Sequence, residues 1–204
     1  MRSLWTLCTL LVALLDVKSW QLNPSIKPSS FRLKYCVRNA PVEGNYCPTL
    51  FPNGKIDEIT GWHADFYPQF LQEYWQKKPL LVRQAIPNII TRFNISEETI
   101  FELAQCDEVE SRVIRHSQRQ VGLKWTKDYG AFTLGQLSAL PASNWTLLVQ
   151  EGDHHLPLLA DLWDTHFSLL PQWRRDDIML SYSAPGGNIG AHVDNYDVFL
   201  LQAR

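Results

Sequence analysis

The pattern of hydrophobic and polar positions predicts a helix and then a strand near the start of the globular part, which we place at about residue 56. Aromatic side chains recur there at helical spacing, at Phe66, Phe70, Tyr74 and Trp75. With Pro79 just beyond them, they predict an amphipathic helix over about 64–77. The apolar residues at 80–83 then predict a short buried strand.

The middle of the chain predicts an alternation of helices and strands. Ser96 is suited to cap a helix, because acidic residues follow it in the first turn. Residues 109–113 alternate in polarity and could pair with 123–125, and 145–150 predicts a further strand. Pro157 favours the start of another helix. The apolar stripe of that helix comprises Leu158, Leu159, Leu162, Trp163, Phe167 and Leu170.

The last part of the chain predicts two strands joined by a tight turn. Residues 178–183, Ile-Met-Leu-Ser-Tyr-Ser, alternate along a strand, and Pro-Gly-Gly-Asn at 185–188 predicts the turn. A second strand-like run extends from Ala191 to Leu201. The fold class predicted from these periods is α+β, with the helices first and the sheet last.

The composition is that of a globular protein and argues against nonspecific nucleic-acid binding. The chain has 204 residues, of which 45% are hydrophobic and 12% aromatic, and eight are tryptophan. This length and content suit one domain with a large apolar core. The net charge of −2 gives no global basic field, so we expect no direct DNA binding.

Residues 1–55 do not show the helical and strand spacing of hydrophobic residues that is seen in the globular part. An apolar run at 4–15, preceded by Arg2, has the parts of a signal peptide and is shorter than the ~20 residues that span a bilayer. Residues 17–42 are basic, contain serine and lack acidic residues, as organelle transit peptides do. We interpret 1–55 as a poorly ordered presequence for a plastid or mitochondrion, which leaves no transmembrane segment in the mature chain. The alternative is a wrongly placed start codon and a cytoplasmic protein.

His192 and Asp194 form the strongest candidate for chemistry. They lie two residues apart in a predicted strand, where such side chains point to the same face. An imidazole and a carboxylate on one face suit a divalent transition metal, and a distant histidine would complete the facial triad of non-haem Fe(II) oxygenases. The spacing alone is weak support, because His-x-Asp occurs often by chance. Its position after a Gly-rich turn strengthens it.

Two other histidine groups are weaker candidates. His154 and His155 are sequence neighbours whose side chains point in different directions, which favours an exposed polar loop over a metal site. The second group is a small basic cluster that comprises His116, Arg112, Arg115 and Arg119. It could touch RNA or an acidic partner, but a solvated surface is the simpler interpretation.

Four segments of the chain carry a family resemblance. Residues 173–202 read WRRDDIMLSYSAPGGNIGAHVDNYDVFLLQ, and 74–79, 108–112 and 144–150 read YWQKKP, EVESR and NWTLLVQ. Together they resemble the bacterial ribosomal-protein arginine hydroxylases, which are JmjC-type cupin oxygenases of the ribosomal oxygenase group. The resemblance covers about residues 60–202, and its longest run is far more specific than His-x-Asp alone.

The resemblance implies a fold, an activity and a site. The implied fold is a JmjC-type cupin (double-stranded β-helix) with N-terminal helices packed on it, and such proteins are often dimeric. The implied activity is hydroxylation of a ribosomal-protein side chain, arginine in that family, with Fe(II), 2-oxoglutarate and O₂. His192 and Asp194 match the first two iron ligands. Ser181 and Ser183 match strand positions that line the pocket and could contact co-substrate or substrate.

The resemblance also implies groups that the chain does not supply. The third iron ligand, a later histidine, and the basic residue that binds 2-oxoglutarate would follow Gln202, whereas the sequence reads Gln-Ala-Arg and stops at Arg204. The expectation is therefore a C-terminally truncated JmjC domain at 56–204 that is inactive as written. The alternatives are a non-catalytic cupin-like product that binds metal weakly, and an oxygenase that acts on histidine or methyl-lysine.

Overall fold

A computed structural model describes residues 56–118, 122–190, 192, 194 and 196–203, together with the backbone of Leu7–Ala13. The described residues belong to two compact units. The larger unit contains Leu7–Ala13, Asn88–Gly190 and the described residues from Asp194 onward, whereas the smaller one contains 56–87 and His192.

Helices and strands alternate along the described chain. Its strands are β1 (Leu7–Ala13), β2 (Asp57–Thr60), β3 (Leu80–Arg83), β4 (Ser111–Gln118), β5 (Leu123–Tyr129), β6 (Trp145–Val149), β7 (Ile178–Ser183) and β8 (Val198–Gln202). Its helices are α1 (Tyr67–Glu73), α2 (Ile89–Phe93), α3 (Glu97–Leu103), α4 (Leu134–Ser138), α5 (Gly152–His155) and α6 (Pro157–His166). The α+β prediction is confirmed, but the helices are interspersed among the strands rather than placed before them.

The larger unit is organised around an antiparallel sheet. Among the described residues, this sheet has six strands in the order β5-β4-β6-β7-β1-β8. The central strands β6 and β7 are buried along almost their whole length. Leu147 pairs with Tyr182 and Thr146 with Ser183. Because successive side chains point to opposite faces, Leu147 and Tyr182 share one face, and the hydroxyls of Thr146 and Ser183 share the other.

Helices cover the face that carries Tyr182. The Tyr182 hydroxyl donates to Glu97 Oε1 over 2.8 Å, and its ring lies edge-on to Phe101 of α3. Helix α6 buries Leu159 and Leu162 completely. Leu158, predicted to belong to the same stripe, is 53% exposed. The prediction is wrong for this residue because it lies about 100° around the helix from Leu159.

The N-cap prediction is confirmed in the larger unit. The predicted strand pairing is confirmed only in part, because residues 123–125 pair with 116–118 and not with 109–113. Ser96 Oγ accepts a hydrogen bond from the Thr99 amide over 3.2 Å at the start of α3. Strands β4 and β5 pair antiparallel, with His116 opposite Trp125. The strand predicted at 145–150 is β6. These agreements follow from strong local signals, namely a capping hydroxyl and alternating polarity.

The smaller unit packs its aromatic residues on one another. Phe70 and Tyr74 are buried, and the ring centroids of Trp62 and Phe70 lie 5.1 Å apart. The helix predicted over 64–77 is confirmed in part, since a 3₁₀ turn at Ala64–Phe66 precedes α1 and the α-helix ends at Glu73.

Strand β3 pairs in parallel with β2. It was predicted to be buried, yet its residues alternate between half-buried and exposed, and Leu81 is 37% exposed. The prediction of burial is wrong because, among the described residues, β2 and β3 form a two-stranded sheet, which lacks the flanking strands that enclose β6 and β7.

The segment interpreted as a presequence enters the described structure at β1. This strand pairs with β7 on one side and β8 on the other. The rest of residues 1–55 lies outside the described residues, so the targeting interpretation stays a prediction. None of the described helices has both the length and the apolar character that a membrane crossing requires.

Candidate active site

The connection from β7 to β8 carries the predicted iron ligands. It begins with a tight turn at 184–187, one residue earlier than the predicted 185–188, in which the Gly187 amide donates to the Ala184 carbonyl over 2.7 Å. Gly186 has a positive φ of 73°, which favours glycine. A Cβ added at Gly187 would lie 2.1 Å from the Trp145 carbonyl oxygen, so this turn lies directly against the start of β6.

The β4–β5 hairpin holds the next residues of the connection. His116 Nε2 lies 2.9 Å from the Gly186 carbonyl oxygen and 2.9 Å from Asn188 Nδ2. Asn188 Oδ1 in turn accepts a hydrogen bond from the Gly190 amide over 3.0 Å. A Cβ at Gly190, whose φ is +80°, would lie 3.4 Å from the ring of Trp125. His116 is therefore a contact of this loop and not simply part of a solvated basic surface.

His192 and Asp194 follow the held part of the loop. His192 is exposed and Asp194 is half-buried, and neither lies in a strand. The predicted strand from Ala191 is wrong for both residues, because β8 begins only at Val198. The reason is the pairing between β1 and β8. The last residue of β1, Ala13, pairs with Val198, and among the described residues no strand pairs with the part of the chain just before Val198. The same-face argument from strand alternation therefore does not apply to this pair.

Negative charge gathers near Asp194. The pKa of Tyr196 is raised, first by burial and then by the charges of Asp194, Asp177 and Asp176. Burial is also the first cause of the raised pKa of Asp176, followed by the charges of Glu151 and Asp153. The charge of Arg112 acts in the opposite direction and lowers the pKa of Tyr196.

Two of these carboxylates also have a structural role. Asp153 accepts hydrogen bonds from the Ile178 amide and from Trp163 Nε1, both over 2.9 Å. Asp177 Oδ2 accepts one from the Glu151 amide, also over 2.9 Å. Together they tie the turn at Glu151 and helix α5 to the start of β7.

Asp177→Asn is expected to stabilise the protein at neutral pH. Burial raises the pKa of Asp177 above 3.8, and the neighbouring acidic groups raise it further, although the Glu151 amide opposes them. The folded state then binds this proton more tightly than the unfolded state, so the carboxylate costs stability as the pH rises through the folded pKa. Asparagine keeps an acceptor for the Glu151 amide and removes the charge.

Denaturant unfolding of the Asp177→Asn variant and its parent checks this expectation. The gain should be present at neutral pH and shrink as the pH falls, because at low pH the Asp177 carboxyl of the parent is neutral in both the folded and the unfolded state. Asp161→Asn, at an exposed position of α6, is the matched control and should change little. A variant less stable than its parent at both pH values contradicts burial as the dominant effect.

Ser181 and Ser183 lie on the face of β7 opposite to Tyr182. Ser181 is buried and Ser183 is half-buried. Ser183 Oγ lies 2.9 Å from Thr146 Oγ1 on β6, and one of the two hydroxyls donates to the other. The two serines and Thr146 thus form a polar strip on a sheet face where Leu148 is also buried. That both serines line a pocket stays a prediction from the sequence.

The donor chemistry of His192 and Asp194 suits a divalent transition metal. A neutral imidazole nitrogen and a carboxylate oxygen are ligands that Fe(II) takes in oxygenases. Exposure of His192 and partial exposure of Asp194 leave both side chains accessible from solvent. Across the part of the chain that the structure describes, no three histidine, cysteine, aspartate or glutamate side chains come together in a group that could hold a metal ion.

Comparison with known proteins agrees with the fold and the motif. The family model described as JmjC domain matches residues 162–204, a segment that contains β7, His192, Asp194 and β8. The structure also superposes on that of YcfD, a ribosomal oxygenase from Escherichia coli, with a TM-score of 0.55 and 38% identity, covering 63% of this chain and 33% of that one. Residues 162–204 thus match the JmjC domain, and the fold of the described chain is similar to that of this ribosomal oxygenase.

Within that class, the proteins that this chain resembles are ribosomal oxygenases. It is 40% identical over 133 residues to a probable ribosomal oxygenase of Haemophilus influenzae, a match that covers 65% of this chain and 31% of the relative. It is 39% identical over 137 residues to the ribosomal protein uL16 3-hydroxylase of E. coli, covering 67% and 34%. The resemblance found in the sequence is confirmed. The chain spans about a third of the length of these curated relatives.

Sequence reasoning missed the residues that hold the loop. His116 was noticed only as a member of a basic cluster, and Trp125 only as part of a strand. The Gly-Gly pair at 186–187 was the available signal, because adjacent glycines often mark a close backbone approach. Nothing local in the sequence indicated which distant element that backbone would approach.

Proposed function

We propose that the protein to which this chain belongs is an Fe(II)- and 2-oxoglutarate-dependent hydroxylase of a ribosomal-protein side chain. The observation that carries the proposal is that the segment matching the JmjC domain contains both His192 and Asp194. The relatives' names support it, and one structure of the similar E. coli protein is described as a complex with cobalt and 2-oxoglutarate.

His192 and Asp194 would hold the metal through an imidazole nitrogen and a carboxylate oxygen. When bound, Fe(II) supplies the oxidation chemistry, with 2-oxoglutarate and O₂ as co-substrates. The residues of this chain contribute binding and orientation. The carboxylate of Asp194 supplies the negative charge that attracts a cation to the pair. The polar strip of Ser181, Ser183 and Thr146 supplies hydroxyls to orient a co-substrate carboxylate or a substrate amide.

The substrate that we propose is an arginine side chain of ribosomal protein uL16. The name of the E. coli relative supports a ribosomal protein of this kind. The choice of arginine as the modified residue rests on the sequence resemblance, and the alternative residues are histidine and methyl-lysine. Peptide mass spectrometry separates them, because the added oxygen is assigned to one residue, whereas demethylation removes carbon instead.

The experiment uses the purified full-length gene product with Fe(II), 2-oxoglutarate, ascorbate and uL16 from the same organism. The expected result is a gain of one oxygen atom on uL16 and formation of an equal amount of succinate. Hydroxylation of a histidine instead of an arginine would change the proposed substrate residue, and the enzyme class would stay as proposed. Metal binding without any decarboxylation of 2-oxoglutarate would overturn the proposal and favour a non-catalytic cupin-like protein.

Ser183→Ala is expected to raise the KM for 2-oxoglutarate by roughly fivefold, which corresponds to the loss of one hydrogen bond of about 1 kcal/mol, with a smaller change in kcat. Ser181→Ala should act in the same direction. Ser168→Ala, at an exposed position outside this face, is the control. Steady-state kinetics that show unchanged KM values for both variants would remove these serines from the co-substrate site.

We also propose that residues 1–55 direct the protein to a plastid or mitochondrion. Fusion of residues 1–55 to a fluorescent protein reports the compartment, and N-terminal sequencing of the mature protein reports cleavage. A leader that is removed could not contribute β1 to the mature sheet. Diffuse cytoplasmic fluorescence together with an intact N-terminus would therefore contradict the presequence and agree with β1 as a permanent strand.

A further inference from the structure

The loop that leads into His192 is held at several points by elements distant in sequence. Its first part is bound through backbone groups, since the Ala184 amide donates to Trp145 O over 3.1 Å and the Asn144 amide donates to Pro185 O over 2.9 Å. Its second part, from Gly186 to Gly190, is bound through side chains of the β4–β5 hairpin. This second part immediately precedes the predicted metal ligands.

His116 contacts this second part with a single ring nitrogen. Nε2 lies 2.9 Å from a carbonyl oxygen, that of Gly186, and 2.9 Å from an amide nitrogen, Asn188 Nδ2. One nitrogen cannot donate to the first and accept from the second at the same time. With a proton on Nε2, His116 donates to Gly186 O; without one, it accepts from Asn188 Nδ2. Either arrangement ties the loop to β4.

The ring of His116 is itself positioned by Trp125. Their ring centroids lie 5.0 Å apart, and the two residues are paired across the β4–β5 ladder. Trp125 also lies beneath Gly190, where the backbone has a positive φ and a Cβ would come within 3.4 Å of the indole. The indole thus contacts both the residue that binds the loop and the last glycine of the loop.

Asn188 links the contacts of His116 and Trp125 into one network. Its amide nitrogen is the group that His116 meets, and its Oδ1 accepts from the Gly190 amide over 3.0 Å. The conformation of the backbone two residues before His192 is therefore coupled to the His116 side chain through one amide group. None of the residues in this network, His116, Trp125 and Asn188, is itself a predicted metal ligand.

We propose that His116 and Trp125 are positioning residues that fix the loop 186–190 so that His192 and Asp194 are presented to the metal. This inference rests on the proposed function, because it assigns a purpose to the contacts only if the pair binds a metal. Groups that orient metal ligands without touching the ion commonly change metal affinity by ~10–100-fold when they are removed. His116 and Trp125 do not contact the predicted ligands in this way, and they act on them through the backbone of the loop.

The test compares four variants of the full-length protein: His116→Ala, His116→Gln, Trp125→Ala and Ser117→Ala. Glutamine places an amide group near the position of Nε2, so it can donate to Gly186 O or accept from Asn188. Ser117 is the neighbouring exposed residue on β4 and serves as the matched control. Affinity for Co(II) in the presence of 2-oxoglutarate is measured by calorimetry, and exchange of the Gly190 amide by hydrogen–deuterium exchange.

The expected result for His116→Ala and Trp125→Ala is a Co(II) affinity lower by about tenfold, the lower end of the range for supporting residues. Gly190 amide exchange should become faster in both, while the midpoint of thermal unfolding changes little. His116→Gln should recover most of the affinity and the slow exchange. Ser117→Ala should match the parent in all three measurements.

Two results for the His116→Ala variant would overturn the inference. One is His116→Ala with the Co(II) affinity and the Gly190 exchange of the parent. The other is a general loss of stability in His116→Ala that glutamine does not rescue, which would make the residue merely structural. If the parent protein itself fails to bind Co(II), the proposed function fails and the positioning role fails with it. The exchange measurement needs no metal. It therefore shows whether His116 holds the loop even if the parent does not bind Co(II).

Discussion

Replacing His192 or Asp194 by alanine should abolish hydroxylation of the ribosomal protein and lower Co(II) affinity by more than about 100-fold, because residues that merely support metal ligands already contribute ~10–100-fold. Each substitution removes one donor of the proposed site. His192 is exposed, so its loss should leave the free energy of unfolding nearly unchanged. A folded protein without metal binding is therefore the expected outcome, seen by calorimetry and by thermal unfolding together.

The matched control for this prediction is His154→Ala. His154 is an exposed histidine in α5 whose Nδ1 lies 3.3 Å from Glu151 Oε2. Loss of such an exposed ion pair changes stability by at most about 1 kcal/mol and should not affect the metal. If His192→Ala retained the Co(II) affinity of the parent while His154→Ala did not, the assignment of the site to His192 and Asp194 would be wrong.

Gly187→Ala is the substitution expected to disturb the fold most directly at the loop. The added Cβ would lie 2.1 Å from Trp145 O and 2.9 Å from Ala184 O, both backbone atoms that cannot rotate away. The turn must then shift off β6, and overpacking of this kind typically costs ~1–3 kcal/mol. Because the turn leads into residues 188–194, the same shift should weaken Co(II) binding.

Gly135→Ala is the control for Gly187→Ala. Gly135 lies in α4, and the nearest atom to an added Cβ is Thr133 Oγ1 at 3.9 Å, an ordinary contact. Within a helix, alanine is usually more stable than glycine by about 0.5–1 kcal/mol. Denaturant unfolding should therefore show opposite signs for the two substitutions. A Gly187→Ala variant as stable as the parent, with full metal affinity, would show that the loop tolerates displacement.

Much of the secondary structure was predictable because its causes are local. The hydroxyl of Ser96 caps α3, and alternating polarity marks β4 and β7. Both signals are carried by residues within a few positions of one another, so no knowledge of the rest of the fold is needed. Where the prediction depended on partners far along the chain, it was less accurate. β3 lacks the burial predicted for it, and β8 begins seven residues later than predicted, at Val198 instead of Ala191.

The sequence by itself determined the residue types of the site and the family resemblance, because both are properties of a short continuous segment. Only the tertiary structure decided how that segment is held. It placed His116 and Trp125, from a different hairpin, against Gly186, Asn188 and Gly190. The physical reason is that hydrogen bonds and packing between distant segments depend on sheet register and loop path. Neither is a property of one segment alone, because the register of a strand also depends on its partner strand and on the turn that joins them.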